Sequence, residues 1–209
     1  MALKSIRSLL TNILIFFSLS MTFIPSYAVQ ALRSHADSSS LPSLNVFVSQ
    51  VKNGQSNQLR GVYIPEILAA PVVTQPAGNN EFVSARPNIV TQFRLASKFG
   101  STGLLGHNNL TGSSFSRLEL NRKIYLIYGD GQIATFVVTK FLRYQALEPN
   151  NPSSKFIDLN TNDLLKASEV FSKVYNRQDQ VIFQTCISAG EEPSWGRLFV
   201  IAEPYSNKP

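Results

Sequence analysis

The clearest pattern in the chain is a pair of β-type hydrophobic runs joined by a tight polar turn. Residues 123–128 (KIYLIY) and 133–142 (IATFVVTKFL) are rich in β-branched and aromatic side chains, which favour extended structure. Between them lies Gly129-Asp130-Gly131-Gln132, and an Asp-Gly pair between two such runs is a strong hairpin signal. The pattern therefore predicts a β-hairpin whose second strand extends towards Leu147.

Shorter apolar runs, bounded by Pro, Gly and polar residues, predict further strands. The segment at residues 45–51 (NVFVSQV) predicts either a short strand or a lead-in to the domain. Pro71 suits an edge strand or the start of a strand, since it has no N–H to donate. The other predicted strands lie at residues 59–64, 70–73, 180–187 and 197–202.

One segment has the hydrophobic period of a helix. Asn160 or Thr161 is suited to cap it, and Asp163 lies in the first turn, where the helix dipole favours an anion. Its apolar positions follow at helical spacing and predict a face packed on the core: Leu164, Ala167, Phe171, Val174 and Tyr175. Together the elements predict a β-barrel with one or two short helices on its connections.

The N-terminus has the features of an export signal. Lys4 and Arg7 precede a mostly apolar stretch at residues 9–24, which Pro25 ends. Residues 26–28 (SYA) then put small residues at the −3 and −1 positions of a cleavage site. We predict a signal peptide at residues 1–28, or the same segment retained as a membrane anchor. Either alternative makes this an exported, extracytoplasmic protein whose membrane association is confined to its N-terminus.

Composition refines this organisation and excludes one class of partner. Residues 29–44 are polar and Ser-rich, so we predict a linker and lead-in at residues 29–58 and one folded domain at residues 59–209. The formal net charge is +6 at pH 7, and the cations are scattered. No Lys/Arg block of the kind that binds nucleic acid is present in the sequence, so a nucleic-acid partner is not expected.

Three residues are candidates for chemistry. Cys186 is the only cysteine and ends an apolar run. It cannot form an internal disulfide, so it is either a buried small hydrophobe or a reactive thiol. Arg197 opens the next apolar run, and His107 follows the short run Leu104-Leu105-Gly106. His35 falls in the Ser-rich linker and receives no role.

As a set these residues suffice for acyl transfer through a thioester. An unperturbed cysteine, with a pKa of about 8.5, is only a few per cent ionised at neutral pH, so it needs a base or a cation nearby. A histidine supplies either function. A guanidinium holds a developing oxyanion or a substrate carbonyl without losing its charge.

These motifs resemble those of the sortases. That family carries a histidine after a short apolar stretch, a Thr-Leu-x-Thr-Cys segment ending a strand, and an arginine opening the next strand. The resemblance spans residues 59–204. Phe183 replaces the usual leucine, and residues 121–124 (NRKI) stand where a Gly-Asp pair is common. The matching segments are residues 104–109 (LLGHNN), 182–186 (IFQTC) and 195–200 (WGRLFV).

The resemblance implies a mainly β fold, a sortase-like closed β-barrel of about eight strands. It implies that Cys186, His107 and Arg197 are catalytic and that the enzyme cleaves a sorting-signal peptide and passes it to an amine or to water. Thr185 is a candidate oxyanion donor and Trp195 a candidate wall of the substrate groove. A strand threonine bonded to backbone and a tryptophan that only packs are the alternatives.

Two other classes of function stay open. One is a non-catalytic sortase-like barrel that binds peptides at the cell surface. The other is a cysteine protease of a different fold, but no histidine follows Cys186, which disfavours a papain-like arrangement. No cofactor or metal is expected, because the adjacent Glu191 and Glu192 alone make a poor calcium site.

Overall fold

The structure, a computed structural model, describes residues 41–206 of the chain. The predicted signal at residues 1–28 lies outside the described residues. No helix between residues 41 and 206 has the length and apolar character needed to cross a membrane. Ten strands form one sheet. They are β1 (Leu59–Ile64), β2 (Leu68–Thr74), β3 (Val90–Phe93), β4 (Thr102–Leu105), β5 (Lys123–Tyr128), β6 (Ile133–Ala146), β7 (Lys155–Asp158), β8 (Leu164–Lys166), β9 (Val181–Ala189) and β10 (Glu192–Pro204).

The described helices are short and lie outside the sheet. Two of them, α2 and α3, lie on connections between strands, and α1 precedes the first strand. A 3₁₀ helix follows β4 and carries buried residues into one end of the barrel. The helices are α1 (Leu44–Val51), α2 (Arg94–Ser97), α3 (Ala167–Tyr175) and the 3₁₀ helix Thr111–Arg117.

The sheet closes into a barrel because β6 pairs with β10. Around the barrel the strands follow the order β10-β9-β4-β3-β2-β1-β5-β6, and the hairpin of β7 and β8 extends from β6 outside the closed ring. The pairs β2–β3 and β4–β9 are parallel, and the other neighbours are antiparallel. The closed, mainly β barrel predicted from the sequence is therefore confirmed.

The predicted hairpin is also confirmed. Strands β5 and β6 pair from Lys123↔Val137 to Ile127↔Ile133. The turn places Gly131 at φ 92°, in the left-handed region that a glycine adopts without steric cost. The β6 strand continues to Ala146, so it is long enough to pair with β5, β7 and β10 in turn.

The strand alternative for residues 45–51 is wrong. These residues lie in helix α1, where Phe47 and Val51, four positions apart, are buried against Ile127. Gly61 on β1 allows this approach, because a Cβ there would come within 2.9 Å of the Phe47 ring. Tertiary packing of one helical face thus overrides the β-propensity of the three valines in the segment.

The predicted start of the long helix is wrong as well. Residues 164–166 form strand β8, which pairs with β7 through Ile157↔Leu164 and Lys155↔Lys166. Helix α3 begins only at Ala167, where the Glu169 carboxylate accepts a hydrogen bond of 2.6 Å from the Lys166 backbone N–H. The backbone ladder with β7 therefore outcompetes the helical spacing at Leu164.

Two hydrophobic layers cover the two faces of the barrel wall. The inner layer fills the barrel and includes Leu104, Phe115, Phe183 and Leu198. The outer layer lies between the sheet and α3 and includes Tyr144, Val170, Val174, Tyr175, Ile182, Phe199 and Ile201. Successive residues of β9 alternate between these layers, so its pleat decides which side chains face outward.

Candidate active site

Cys186 lies near the end of β9 on the outer face of the barrel. Its neighbour on β10 is Arg197, and the two residues are direct partners in the antiparallel register. Direct partners point to the same face of a sheet, so the thiol and the guanidinium leave the barrel wall side by side. Cys186 is half-buried and forms no disulfide.

His107 reaches the same level of the sheet from the other side of β9. The parallel β4–β9 register ends at Leu105↔Gln184, and the Gly106 N–H donates to the Gln184 carbonyl at 3.2 Å. Continuing this register by two residues aligns His107 with Cys186. Neighbouring strands lie about 4.8 Å apart, so we expect His107, two residues beyond the end of β4, to lie near Cys186 and Arg197; these three residues are called the thiol row.

Backbone and side-chain hydrogen bonds hold the segment that carries His107. Its carbonyl accepts from Leu110 and Gly112, both at 2.9 Å. The Asn108 amide donates to the Pro193 carbonyl at 2.8 Å and so ties this segment to the β9–β10 connection. The exposed imidazole lies with its Nε2 3.3 Å from the Val83 carbonyl. Between residues 41 and 206, no hydrogen bond joins that ring to the Cys186 thiol.

The Arg197 side chain is half-buried and bonded to backbone carbonyls. It donates to Ser194 at 2.8 Å, to Gly196 at 2.9 Å and to Pro149 at 3.0 Å. A guanidinium has five N–H donors, so two of them remain for another acceptor. Arg197 therefore joins the loop after β6 to the first part of β10, directly beside Cys186.

A cleft of about 490 Å³ leads along the outer face towards this row. Val83 and Pro149 belong to its lining, and their carbonyls contact His107 and Arg197. The remaining walls are mainly apolar and include five aromatic side chains, so the cleft suits an apolar peptide side chain. Its aromatic lining consists of Phe93, Phe156, Phe171, Tyr175 and Phe199.

Gln184 is one of the polar groups that line the cleft, and the sequence did not point to it. It precedes Cys186 by two residues, so both side chains point outward and lie about 7 Å apart along the strand. The buried Tyr175 hydroxyl donates to the Gln184 Oε1 at 2.6 Å. Burial raises the pKa of Tyr175, so its phenol remains a donor at neutral pH. The period-two alternation around Cys186 was the signal that could have revealed Gln184.

Thr185 lies on the opposite face from Cys186. Its side chain points inward beside Gly112 of the 3₁₀ helix, where a Cβ would collide with the threonine Oγ1. Thr185 is 3% exposed, and its hydroxyl has no hydrogen-bond partner within the described part of the chain. The structure therefore separates this hydroxyl from the thiol by the thickness of the barrel wall.

Trp195 lies in an irregular part of β10, where the pairing with β9 shifts between Glu192 and Gly196. It is half-buried and does not belong to the lining of the cleft. The structure thus places Cys186 directly beside Arg197, which lines the cleft, and His107 just beyond the end of β4, whereas Thr185 faces the barrel interior. Among residues 41–206, no group of three or more His, Cys, Asp or Glu side chains is arranged to hold a metal ion.

Comparisons with known proteins find similarity in structure only. No family model matches the sequence, and no curated protein matches it. Sortase A from Corynebacterium diphtheriae, a lid mutant, has a TM-score of 0.46 and 13% identity over 72% of each chain. Listeria monocytogenes sortase A has a TM-score of 0.44 and 15% identity over 71% of this chain and 87% of its own. Sortase C1 from Streptococcus agalactiae has a TM-score of 0.46 and 16% identity over 78% of this chain and 75% of its own.

The chain is thus similar in fold to sortases, as the sequence resemblance predicted. At these identities and TM-scores the likeness concerns the fold alone. Any activity has to be inferred from the residues of this chain and their geometry.

Proposed function

We propose that this protein is an exported cysteine transpeptidase of sortase type, which cleaves a sorting-signal peptide and transfers it to an amine or to water. The observation that carries the proposal is the direct pairing of Cys186 with Arg197 across β9 and β10, with His107 in the segment that follows β4 on the other side of β9. A nucleophile, a proton carrier and a fixed cation are the three groups that acyl transfer through a thioester requires.

Binding comes first in the proposed reaction. An extended peptide lies in the aromatic cleft and directs one carbonyl carbon towards the Cys186 sulfur. The cleft has a volume of about 490 Å³, and Gln184 is one of the polar groups that line it. Trp195 is proposed to guide the peptide from the β9–β10 connection, outside the cleft itself.

The acylation step begins with the Cys186 thiolate and the protonated His107. The sulfur forms a bond to the carbonyl carbon, and the carbonyl oxygen takes the electron pair and becomes an oxyanion. The two Arg197 N–H groups that no carbonyl occupies are available to hold this oxyanion. The C–N bond then breaks, His107 gives its proton to the leaving amine, and a thioester remains on Cys186.

Deacylation reverses the roles of the same groups. An incoming amine, or water, attacks the thioester carbonyl while neutral His107 accepts its proton. The C–S bond breaks, and Cys186 leaves as the thiolate beside a newly protonated imidazole. An amine acceptor gives a new amide, whereas water gives a free carboxylate.

A mass-spectrometric assay tests this function. The full chain is incubated with Leu-Pro-x-Thr-Gly-like peptides, with and without an amine. We expect a thioester at Cys186 and an amide product when the amine is present, and neither in Cys186→Ala. If peptides bind but no thioester or product forms under any condition, the transpeptidase proposal fails.

One observation favours a second candidate function, a non-catalytic barrel that binds peptides. Arg197 already donates to three backbone carbonyls, and no hydrogen bond joins His107 to Cys186 in the described structure. A barrel that only binds would hold the same peptides with equal affinity in the wild type and in Cys186→Ala, and neither protein would turn them over.

A further inference from the structure

A second depression lies on another face of helix α3 and carries positive charge. It has a volume of about 370 Å³, and three cationic side chains line it from two separate elements. Lys140 comes from β6, and Lys173 and Arg177 come from α3 and the residues just after it. The same three cations also border a smaller adjoining hollow, so the charged surface is continuous.

These cations have no carboxylate partner close enough to neutralise them. Between residues 41 and 206, two ion pairs have N–O distances within 4.0 Å. Arg122 makes both of them, and it does not line this depression. Lys173 and Arg177 line the same depression as Lys140, so three like charges share one small surface, an unfavourable arrangement. A bound anion would relieve this repulsion.

The nearby carboxylates are already engaged with other groups. Asp158 lines the depression, and its Oδ1 accepts a hydrogen bond of 3.0 Å from the Asn160 backbone N–H. Glu203 borders the adjoining hollow and accepts from the Gln180 amide at 3.0 Å. Counting Asp158 against the three cations leaves a charge of 3 − 1 = +2 around the depression itself.

A hydroxyl donor without an acceptor accompanies these charges. Tyr144 lines the depression and is 1% exposed, yet its phenol oxygen has no hydrogen-bond partner in the described part of the chain. Burial, together with the negative charge of Asp158, raises the pKa of Tyr144 to about 12, so the phenol is an O–H donor at neutral pH. Buried donors in folded proteins are nearly always paired, which points to a ligand oxygen here.

We propose that Lys140, Lys173, Arg177 and the Tyr144 hydroxyl form a binding site for the phosphate group of a phosphate monoester. A carboxylate has two oxygens and one negative charge. A phosphate monoester has three terminal oxygens and a charge of about −1.5 to −2 at pH 7, which matches the +2 surroundings more closely. Three cations and one hydroxyl also approach from several directions, as a tetrahedral ligand requires.

The site is separate from the thiol row and does not depend on peptide cleavage. Its residues belong to β6, α3 and the segment just after α3, and none of them lines the aromatic cleft. The phosphate could come from a soluble ester or from a lipid headgroup, since both present the same group.

The test measures binding to the full chain at constant ionic strength, with sodium chloride replacing the ligand salt. One probe is inorganic phosphate, followed by calorimetry, and the other is phosphatidylcholine vesicles that contain phosphatidic acid. We expect phosphate to bind the wild type and to bind Lys140→Gln/Lys173→Gln at least about tenfold more weakly, because two charge-assisted contacts are lost. We expect Tyr144→Phe to weaken binding about threefold or more.

The matched control is Lys98→Gln/Lys155→Gln, which removes two exposed cations outside the depression and should bind phosphate as the wild type does. Binding of both probes, lost in the site variant, supports a lipid headgroup, and binding of inorganic phosphate alone supports a soluble ester. No phosphate binding, binding that both double variants keep or lose equally, or binding to vesicles alone would overturn the site.

Discussion

The two faces of strand β9 differ in their roles, because one packs in the barrel core and the other carries Cys186. The inward residues Val181, Phe183 and Thr185 are at most 3% exposed and pack in the barrel. The outward residues change along the strand, from the fully buried Ile182 under α3 to the half-buried Gln184 and Cys186 beside the cleft. A one-residue shift in register would exchange the faces, so the same hydrogen-bond ladder that stabilises the barrel also fixes where the thiol points.

Replacing the thiol should give the largest effect on function with the smallest effect on stability. We expect Cys186→Ala to lower kcat/KM for peptide cleavage at least about a thousandfold, since the nucleophile is lost. The free energy of unfolding should change by less than about 1 kcal/mol, because the residue is half-exposed and the thiol has no partner within the described residues. Peptide kinetics and urea unfolding measure the two effects, and persistent turnover would remove Cys186 from the mechanism.

Replacing a residue on the inward face of β9 should instead cause a large loss of stability. Phe183 is fully buried, and its ring contacts that of Phe115 with centroids 5.0 Å apart. We expect Phe183→Ala to lower the free energy of unfolding by about 3–5 kcal/mol, measured by urea denaturation. The matched outward control, Gln184→Ala, should cost less than about 1.5 kcal/mol, because it removes one hydrogen bond with Tyr175. Equal costs for the two variants would contradict the division of the strand into two faces.

A substitution of Arg197 tests whether the outward face of the neighbouring strand β10 contributes to turnover. We expect Arg197→Lys to lower peptide turnover about ten- to a hundredfold, because an ammonium cannot bond the three carbonyls and still offer planar donors to the substrate. Arg143→Lys, an exposed arginine on β6, is the control and should keep turnover within about twofold. Near-normal turnover by Arg197→Lys would leave Arg197 as a structural clamp only.

A substitution of Thr185, the neighbour of Cys186, tests whether the inward face of β9 contributes to turnover. Its hydroxyl is buried without a partner in the described structure, so Thr185→Val should keep the free energy of unfolding within about 1 kcal/mol or raise it slightly. We also expect turnover within about threefold of the wild type, because the side chain does not share the face of the thiol. A tenfold or greater loss of turnover would instead support the oxyanion role predicted for Thr185.

The smallest expected effect is a change in the pH dependence of stability in the alkaline range, and it involves Tyr144 of the outer layer. Burial and Asp158 raise the pKa of Tyr144 from 10.0 to about 12 in the folded protein. The unfolded chain therefore releases this proton first, and stability that is full below pH 10 should fall as the pH rises from 10 towards 12. We expect Tyr144→Phe to show a shallower fall over this range in pH-dependent urea unfolding. An identical pH profile for both proteins would contradict the assignment.

Much of the fold was predictable because its signals are local. The hairpin of β5 and β6 follows from its Gly-Asp-Gly turn and flanking β-formers, and the eight-strand closure matches the fold that the motifs resemble. The starts of α1 and α3 were missed for a nonlocal reason. Phe47 and Val51 form a helix because they meet Ile127, and Leu164 extends into a strand because β7 lies beside it.

The candidate site also contains some residues that were predictable from the sequence and others that were not. Cys186, His107 and Arg197 were predicted from residue type and motif, and the inward position of Thr185 was already implied by its place next to an outward cysteine. Gln184 and Asn108 were missed because their partners, Tyr175 and Pro193, are identified only once the chain is folded. The cationic depression was missed because Lys140 is remote in sequence from Lys173 and Arg177.

The sequence by itself determined which segments form most of the strands, which side chains alternate along them, and which residues carry reactive groups. Only the tertiary structure decided that β4 lies parallel to β9 and that β10 closes the barrel against β6. These pairings join residues far apart in the chain, and their register depends on how the whole hydrophobic interior is packed. The β9–β10 register pairs Cys186 with Arg197, and the β4–β9 pairing brings the segment after Leu105, which carries His107, alongside the same part of the barrel.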